Sequence, residues 1–114
     1  MKLRLTLAAD KDLAAIARYT LRHFGPDQKE VYAELVERAF AMLLENPQRP
    51  SSLSRQELGR DVRSFHLALA AGRRRGASHV VYYLGREQEV VILRVLGDEM
   101  EPRSRIRKAL ASSD

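Results

Sequence analysis

The chain has no cysteine and only three histidines, His23, His66 and His79. Without thiols it can form neither a disulfide nor a thiolate metal centre. The histidines are not spaced as ligands of one ion, so no metal and no cofactor is expected. No apolar run approaches the roughly 20 residues of a membrane span. The opening MKLRLTLAADKDLAAI lacks the uninterrupted apolar stretch of a secretory signal. The expectation is a cytoplasmic protein with no membrane partner.

What is present suits one domain over residues 1–114, with a real but thin core. Hydrophobic residues make up 45% and charged residues 31%, the balance of a globular chain. No internal repeat is visible. The stretch 47–54, PQRPSSLS, is a loop too short to be a domain linker. The net charge of +5 is uneven: residues 58–114 hold 11 basic against 7 acidic groups, residues 1–57 hold 9 against 8. A basic second half suits either plain solvation or an acidic partner, nucleic acid or protein.

Leu3, Leu5 and Leu7 alternate with Arg4 and Thr6, which predicts a half-buried edge strand over 3–7. Asp10 is placed to cap a helix whose stripe is Leu13, Ile16, Ala17, Thr20 and Phe24. Gly25-Pro26 stops it. Asp27 and Glu30, at capping-box spacing, open a second helix that runs to Asn46-Pro47, with Val31, Leu35, Ala39 and Met42 as one stripe and Tyr32, Val36, Phe40 and Leu43 widening it. So short a link folds the two helices back as an antiparallel hairpin, and so wide a stripe asks for a sheet to cover. Ser54 and Glu57 predict a single helical turn before Gly59. Three strands then follow in a meander: residues 62–69, 79–84 and 90–96. The first link, Ala70–Ala77, is bracketed by glycines and holds Arg73, Arg74 and Arg75. After Pro102, Ile106 and Leu110 are spaced for one helical face among Arg103, Arg105, Arg107 and Lys108, which suits a short docked helix or a frayed tail. The fold class is therefore α+β: an N-terminal strand, a helix hairpin on a mostly antiparallel sheet of three to four strands, and a short basic C-terminal segment.

Four stretches in this order resemble the ParE toxins of the RelE/ParE superfamily of bacterial toxin–antitoxin pairs. LAADKDLAAIARYTLRHF (7–24) is similar to the family's "ADLxxIxxYT", GPDQKEVY (25–32) to "G-x-x-Q-x-x-x-Y", and residues 43–47 to "LAxNP". VRSF (62–65), SHVVYY (78–83) and ILRVLGDEM (92–100) are similar to "YRxF…SHxIxYY…IxRVLHxRMD". Two features depart from the pattern. Gly97 and Glu99 stand where the family has His and Arg, and the Ala70–Ala77 link is long.

The resemblance implies a non-enzymatic toxin that inhibits DNA gyrase and so replication, neutralised by a ParD-like antitoxin. DNA in the gyrase complex, or operator DNA reached through the antitoxin, is an expected further contact. The alternative the superfamily offers is a RelE-like ribosome-dependent mRNA endonuclease. Such enzymes place cations around the scissile phosphate, an Arg after the last strand and a Tyr in the C-terminal helix. Here Asp98-Glu99 follows the last strand and no Tyr follows Tyr83; carboxylates there would repel the developing phosphate charge. A non-toxic, antitoxin-binding relative is the third reading, raised by Glu99.

The target-facing candidates are Arg63, Arg73, Arg74, Arg75, Arg94, Met100, Arg103 and Arg105. The antitoxin-facing candidates are Leu13, Ile16, Tyr19, Tyr32, Leu35 and Val36. Each has a plainer structural reading beside it: a solvated tip for Arg73–Arg75, a structural ion pair for Arg94, a gap-filler for Met100, core positions for Tyr19, Tyr32 and Phe40. Tyr82 and Tyr83 point to opposite faces of a strand, which puts one of them in the core.

Overall fold

Thr6 is the hinge between the first strand and the first helix. In the computed structural model, which describes residues 1–71 and 77–112, strand β1 is Lys2–Leu5 and helix α1 is Leu7–Phe24. The Thr6 hydroxyl accepts the Ala9 N–H at 3.0 Å and donates to the Leu93 carbonyl at 2.8 Å. One side chain therefore caps α1 and bolts it to the sheet. Asp10, expected as the cap, lies in the first turn instead, where its charge complements the helix dipole. The strand is correspondingly shorter than the alternation over 3–7 suggests, because Thr6 offers the helix a better start than Asp10 does.

Gly25, at φ 91°, closes α1 and opens α2, Pro26–Glu45. No side chain caps α2, and Pro26 occupies its first turn. The Asp27–Glu30 capping box is thus not formed; the glycine turn already sets the chain direction. The buried face of α2 is Val36, Ala39, Phe40 and Leu43. At the helix end the Met42 carbonyl accepts both the Asn46 N–H, at 3.1 Å, and Arg49 Nη1, at 2.7 Å.

The sheet has five strands, one more than expected. Leu53–Ser54 forms a two-residue strand, β2, on the edge of β3, Val62–His66. It precedes the expected turn before Gly59, which is present as hydrogen bonds from the Leu58 N–H to the Arg55 carbonyl at 2.9 Å and from the Gly59 N–H to the Gln56 carbonyl at 3.2 Å, while the Arg55 N–H reaches the Val62 carbonyl at 2.8 Å. β4 is His79–Gly85 and β5 is Glu89–Gly97. The strand order is β1-β5-β4-β3-β2, antiparallel except that β1 runs parallel to β5. β3 ends at His66, earlier than the alternation to Leu69 implies. His66 Nδ1 accepts the Ala68 N–H at 3.1 Å and turns Leu67–Ala70 into a 3-10 turn. The expected arginine tip, Arg73–Arg75, lies outside the described residues.

The meander is buried on both faces. One cluster lies under the hairpin and includes Phe65, Val81, Tyr83, Val90, Ile92 and Val95. The other lies under helix α3, Arg103–Ala111, and includes Val62, Tyr82, Leu84, Val91, Leu93 and Ile106. So the C-terminal segment is a docked helix, and both Tyr82 and Tyr83 are core, not one of them. A third layer on the far side of the sheet is what the two-faced burial requires.

A β-bulge interrupts this pattern. Tyr83 faces Ile92 and Val81 faces Val95, so Leu93 and Arg94 together occupy one step of β5. The extra residue turns Arg94 toward α1. There Asp12 accepts its Nε at 2.7 Å and Nη2 at 2.8 Å, and also takes the Val95 N–H at 2.9 Å. Asp12→Ala would leave that fork and that N–H without their acceptor. We expect a loss of about 2–4 kcal/mol in urea unfolding; a change below about 1 kcal/mol, the size of an exposed pair, would contradict this geometry.

Candidate functional site: the hairpin groove and the end of the sheet

The outer side of the hairpin is not closed. Leu13, Ile16 and Ala17 of α1 and Tyr32, Ala33 and Val36 of α2 line a groove of about 170 Å³. Thr20 contributes only its methyl, because its hydroxyl donates to the Ile16 carbonyl at 2.8 Å. Lys29 supplies the groove's charged lining residue. Thr20 and Tyr32 also line a second hollow of about 260 Å³, with Tyr19, Phe24, Gln28, Ser78 and His79. Tyr19 is 60% and Phe24 65% exposed. Tyr19 stacks on His23 at 4.3 Å and approaches Phe24 at 6.4 Å, forming an aromatic cluster on the surface. Tyr19 is therefore not the core residue expected: α1 packs on the sheet through the face that carries Ala9 and Asp12, and Tyr19 falls outside it.

Of the residues read as antitoxin-facing, Leu13, Ile16, Tyr32 and Val36 line the groove and Tyr19 lines the adjoining hollow. Leu35 packs against the hairpin-side core. The residues read as target-facing are scattered. Arg63 donates through Nε and Nη2 to Ser52 Oγ, at 3.0 and 2.8 Å, and pins the β2 loop. Arg94 is held by Asp12, and that hydrogen bond raises its pKa further. Met100 is half-buried against the α3-side core. Arg103 and Arg105 lie on α3.

The floor of the groove leads to a polar cluster at the end of β4 and β5. Tyr32 Oη hydrogen-bonds to His79 Nδ1, edge-on with rings 5.6 Å apart. Burial pushes the Tyr32 phenol up to about 12, so it keeps its proton and donates it to the imidazole. Burial also lowers the pKa of His79, more than the carboxylates Glu99, Asp98 and Asp12 raise it, with His66 acting in the same direction as burial. Across the sheet end, His66 Nε2 lies 3.2 Å from Asp98 Oδ2. Its Nδ1 already accepts the Ala68 N–H, so Nε2 carries the proton and donates to Asp98. Both ring nitrogens are engaged, which leaves neutral His66 no lone pair for a general base.

On the α3 side, His66, Asp98, Ser64, Val80 and Tyr82 line a hollow of about 270 Å³, with the Arg55 guanidinium 5.6 Å from the Tyr82 ring centre. The chain pattern hides this hollow: Arg55, His66 and Asp98 come from three separate loops or strand ends, and no spacing connects them. Gly97 and Glu99 prove to be one feature. A Cβ on residue 97 would lie 2.5 Å from the Glu99 carboxylate, so Glu99 folds back over the bare backbone that Gly97 provides.

A strand, a two-helix hairpin, a meander and an apolar groove on the hairpin's outer side make a specific frame. Residues 3–102 match the family model of the ParE toxin of parDE type II toxin–antitoxin systems. The chain belongs to the ParE toxin family. A chain from a structure described as the chromosomal ParDE TA system from P. aeruginosa is similar, with a TM-score of 0.67 and 21% identity over 87% of this chain and 97% of that one. At that identity the likeness is one of fold. Comparison with curated proteins gives no match. The Glu99 carboxylate occupies room that a side chain at 97 would need. Among the described residues, no helix is long and apolar enough to cross a membrane.

His79 makes this cluster sensitive to pH. Its folded pKa lies below the ordinary value, so the unfolded chain binds its proton more readily. The contribution of neutral His79 is complete above the ordinary histidine range and is lost as pH falls through it toward the folded pKa. The melting temperature is expected to fall between about pH 7.5 and about pH 5.5. His79→Asn keeps an acceptor for Tyr32 but does not titrate, and should flatten that fall. An equal fall in the variant would assign the effect to other groups.

Proposed function

We propose that this ParE-family chain arrests growth by inhibiting DNA gyrase, and that a ParD-like antitoxin neutralises it by laying an apolar, acid-flanked segment into the hairpin groove. The observation that carries the antitoxin half is the groove itself. Its lining is aliphatic and aromatic, it runs between two helices, and it continues into a hollow flanked by exposed Tyr19 and Phe24. Such a channel suits a helix presenting apolar side chains at successive turns. Lys29 beside it, on a chain of net charge +5, favours acids flanking the apolar positions. The gyrase half rests on family membership. A RelE-like nuclease draws no support from His66, whose nitrogens are both engaged, nor from Asp98 and Glu99, which would oppose an anionic transition state. The cytoplasm is the compartment in which both partners would be met.

Ala33 is exposed on α2 yet lines the groove, so it can be changed without touching the core. Ala33→Arg should leave toxicity intact while abolishing rescue by a co-expressed antitoxin, with antitoxin affinity falling about 100-fold or more, as blocking a central apolar pocket implies. Unchanged affinity would remove the groove from the interface. The purified chain should block gyrase supercoiling and leave ribosome-bound mRNA whole. Codon-specific cleavage of that mRNA would overturn the gyrase reading in favour of nuclease chemistry. Expression without any growth arrest would favour a non-toxic relative.

A further inference from the structure

Helix α3, RSRIRKALA, carries four cations and no acid. The family match ends at residue 102, so the helix lies beyond what that match describes. Its inner face is fixed. Ile106 and Ala109 are buried, and Leu110 packs on the same cluster. At about 3.6 residues per turn, Ser104 and Ala111 run along the middle of the outer face. Arg103 and Arg107, one turn apart, lie on one side of that line; Arg105 and Lys108 lie on the other. The result is a ridge of small residues between two cationic rows on a rigidly docked helix.

Helix stability gives no reason for this arrangement. Arg103 and Arg105 fall in the first turn, where the dipole favours acids. That turn itself has no acid, and its N-cap residue, Pro102, makes no side-chain cap; the carboxylate that meets its first N–H, Glu101, lies just outside the helix. Neighbouring carboxylates offset the charge of Arg103 alone. Glu101 accepts the Arg103 backbone N–H at 2.9 Å and lies 3.8 Å from its guanidinium, while Arg105 donates to the Glu101 carbonyl at 2.7 Å. Glu57, already bound by Arg55, also feels Arg103. Arg107 and Lys108 are exposed, with no side-chain partner among the described residues. Unpaired cations flanking a low ridge complement a row of phosphates, whose backbone can lie along the small residues and be gripped from both sides.

We propose that α3 is a docking face for the phosphate backbone of duplex DNA, with Arg107 and Lys108 as its main contacts and Arg103 and Arg105 as supports. Binding is electrostatic and independent of base sequence. It depends neither on the groove nor on gyrase, since α3 packs on the opposite face of the sheet from the hairpin.

The test is fluorescence anisotropy of the full chain, free of partners, on a labelled duplex of about 20 base pairs, with gyrase absent. About three phosphate contacts predict a slope near −3 in the logarithm of affinity against the logarithm of salt. Arg107→Ala/Lys108→Ala should reduce that slope by about 2 and weaken binding at least about tenfold at low salt. Arg107→Lys, which keeps the charge, should retain the slope. Lys11→Ala/Arg18→Ala removes two exposed cations from α1 and should change both quantities far less. No binding by the unmodified chain at low salt would overturn the proposal. So would an equal loss in the α1 variant, which would make the attraction one of net charge alone.

Discussion

The Asp12 carboxylate is the point on which the hairpin and the sheet agree. It comes from the second turn of α1 and reaches the one place in β5 where the ladder is irregular. The bulge at Leu93–Arg94 frees a backbone N–H and swings a guanidinium off the strand; both are potential liabilities in an apolar interior. Asp12 takes the N–H of Val95 and both arms of Arg94 with its two oxygens. A planar fork on a planar carboxylate fixes distance and rotation together. Thr6, six residues earlier, fixes the helix start to Leu93. Between them they set the angle at which α1 leaves the sheet, and with it the width of the groove that α1 and α2 share.

This dependence also explains what the chain pattern could and could not convey. The hairpin was legible because Gly25-Pro26 and Asn46-Pro47 punctuate two long apolar stripes, and local chemistry dictates where helices stop. Strands β4 and β5 were legible from their β-branched runs. The bulge was not, since nothing in VVILRVL marks which step carries two residues; it is set by Asp12, 82 positions away along the chain from Arg94. The same holds for His66, which looks like a strand residue but ends β3 by accepting the Ala68 N–H. Tyr19 shows the converse error. It was read as a core position, but it lies outside the face the sheet covers and lines the hollow that adjoins the groove.

At the end of β5, two departures from a family pattern meet in space. Gly97 and Glu99 look like two independent losses, a missing imidazole and a reversed charge. In the fold they touch: the exposed Glu99 carboxylate lies over the bare Gly97 backbone, and a side chain at 97 would make it swing aside. The negative charge there, with Asp98, lies where it acts on His79, the imidazole beneath the groove. The sheet end thus joins two surfaces that otherwise share no residues: the apolar hairpin side and the hollow that Asp98 and His66 line with Tyr82.

Burial on both faces of the sheet has a consequence for how such a protein can be silenced. The groove opens on the hairpin, while α3 is held against the other side by Ile106, which is fully buried. A segment lying in the groove therefore leaves the cations of α3 uncovered unless it continues around the sheet. Two edges are available for that route. At one, β1 is short and carries Lys2 and Arg4, with Arg4 bound to Glu89. At the other, β2 is only two residues long and leaves Leu53 63% exposed. The β1 edge is polar and already paired by charge, so a passing chain would gain little there. The β2 edge places the apolar Leu53 side chain near the Arg55–Tyr82 hollow, so a partner long enough to touch both faces would bury more apolar surface on that route.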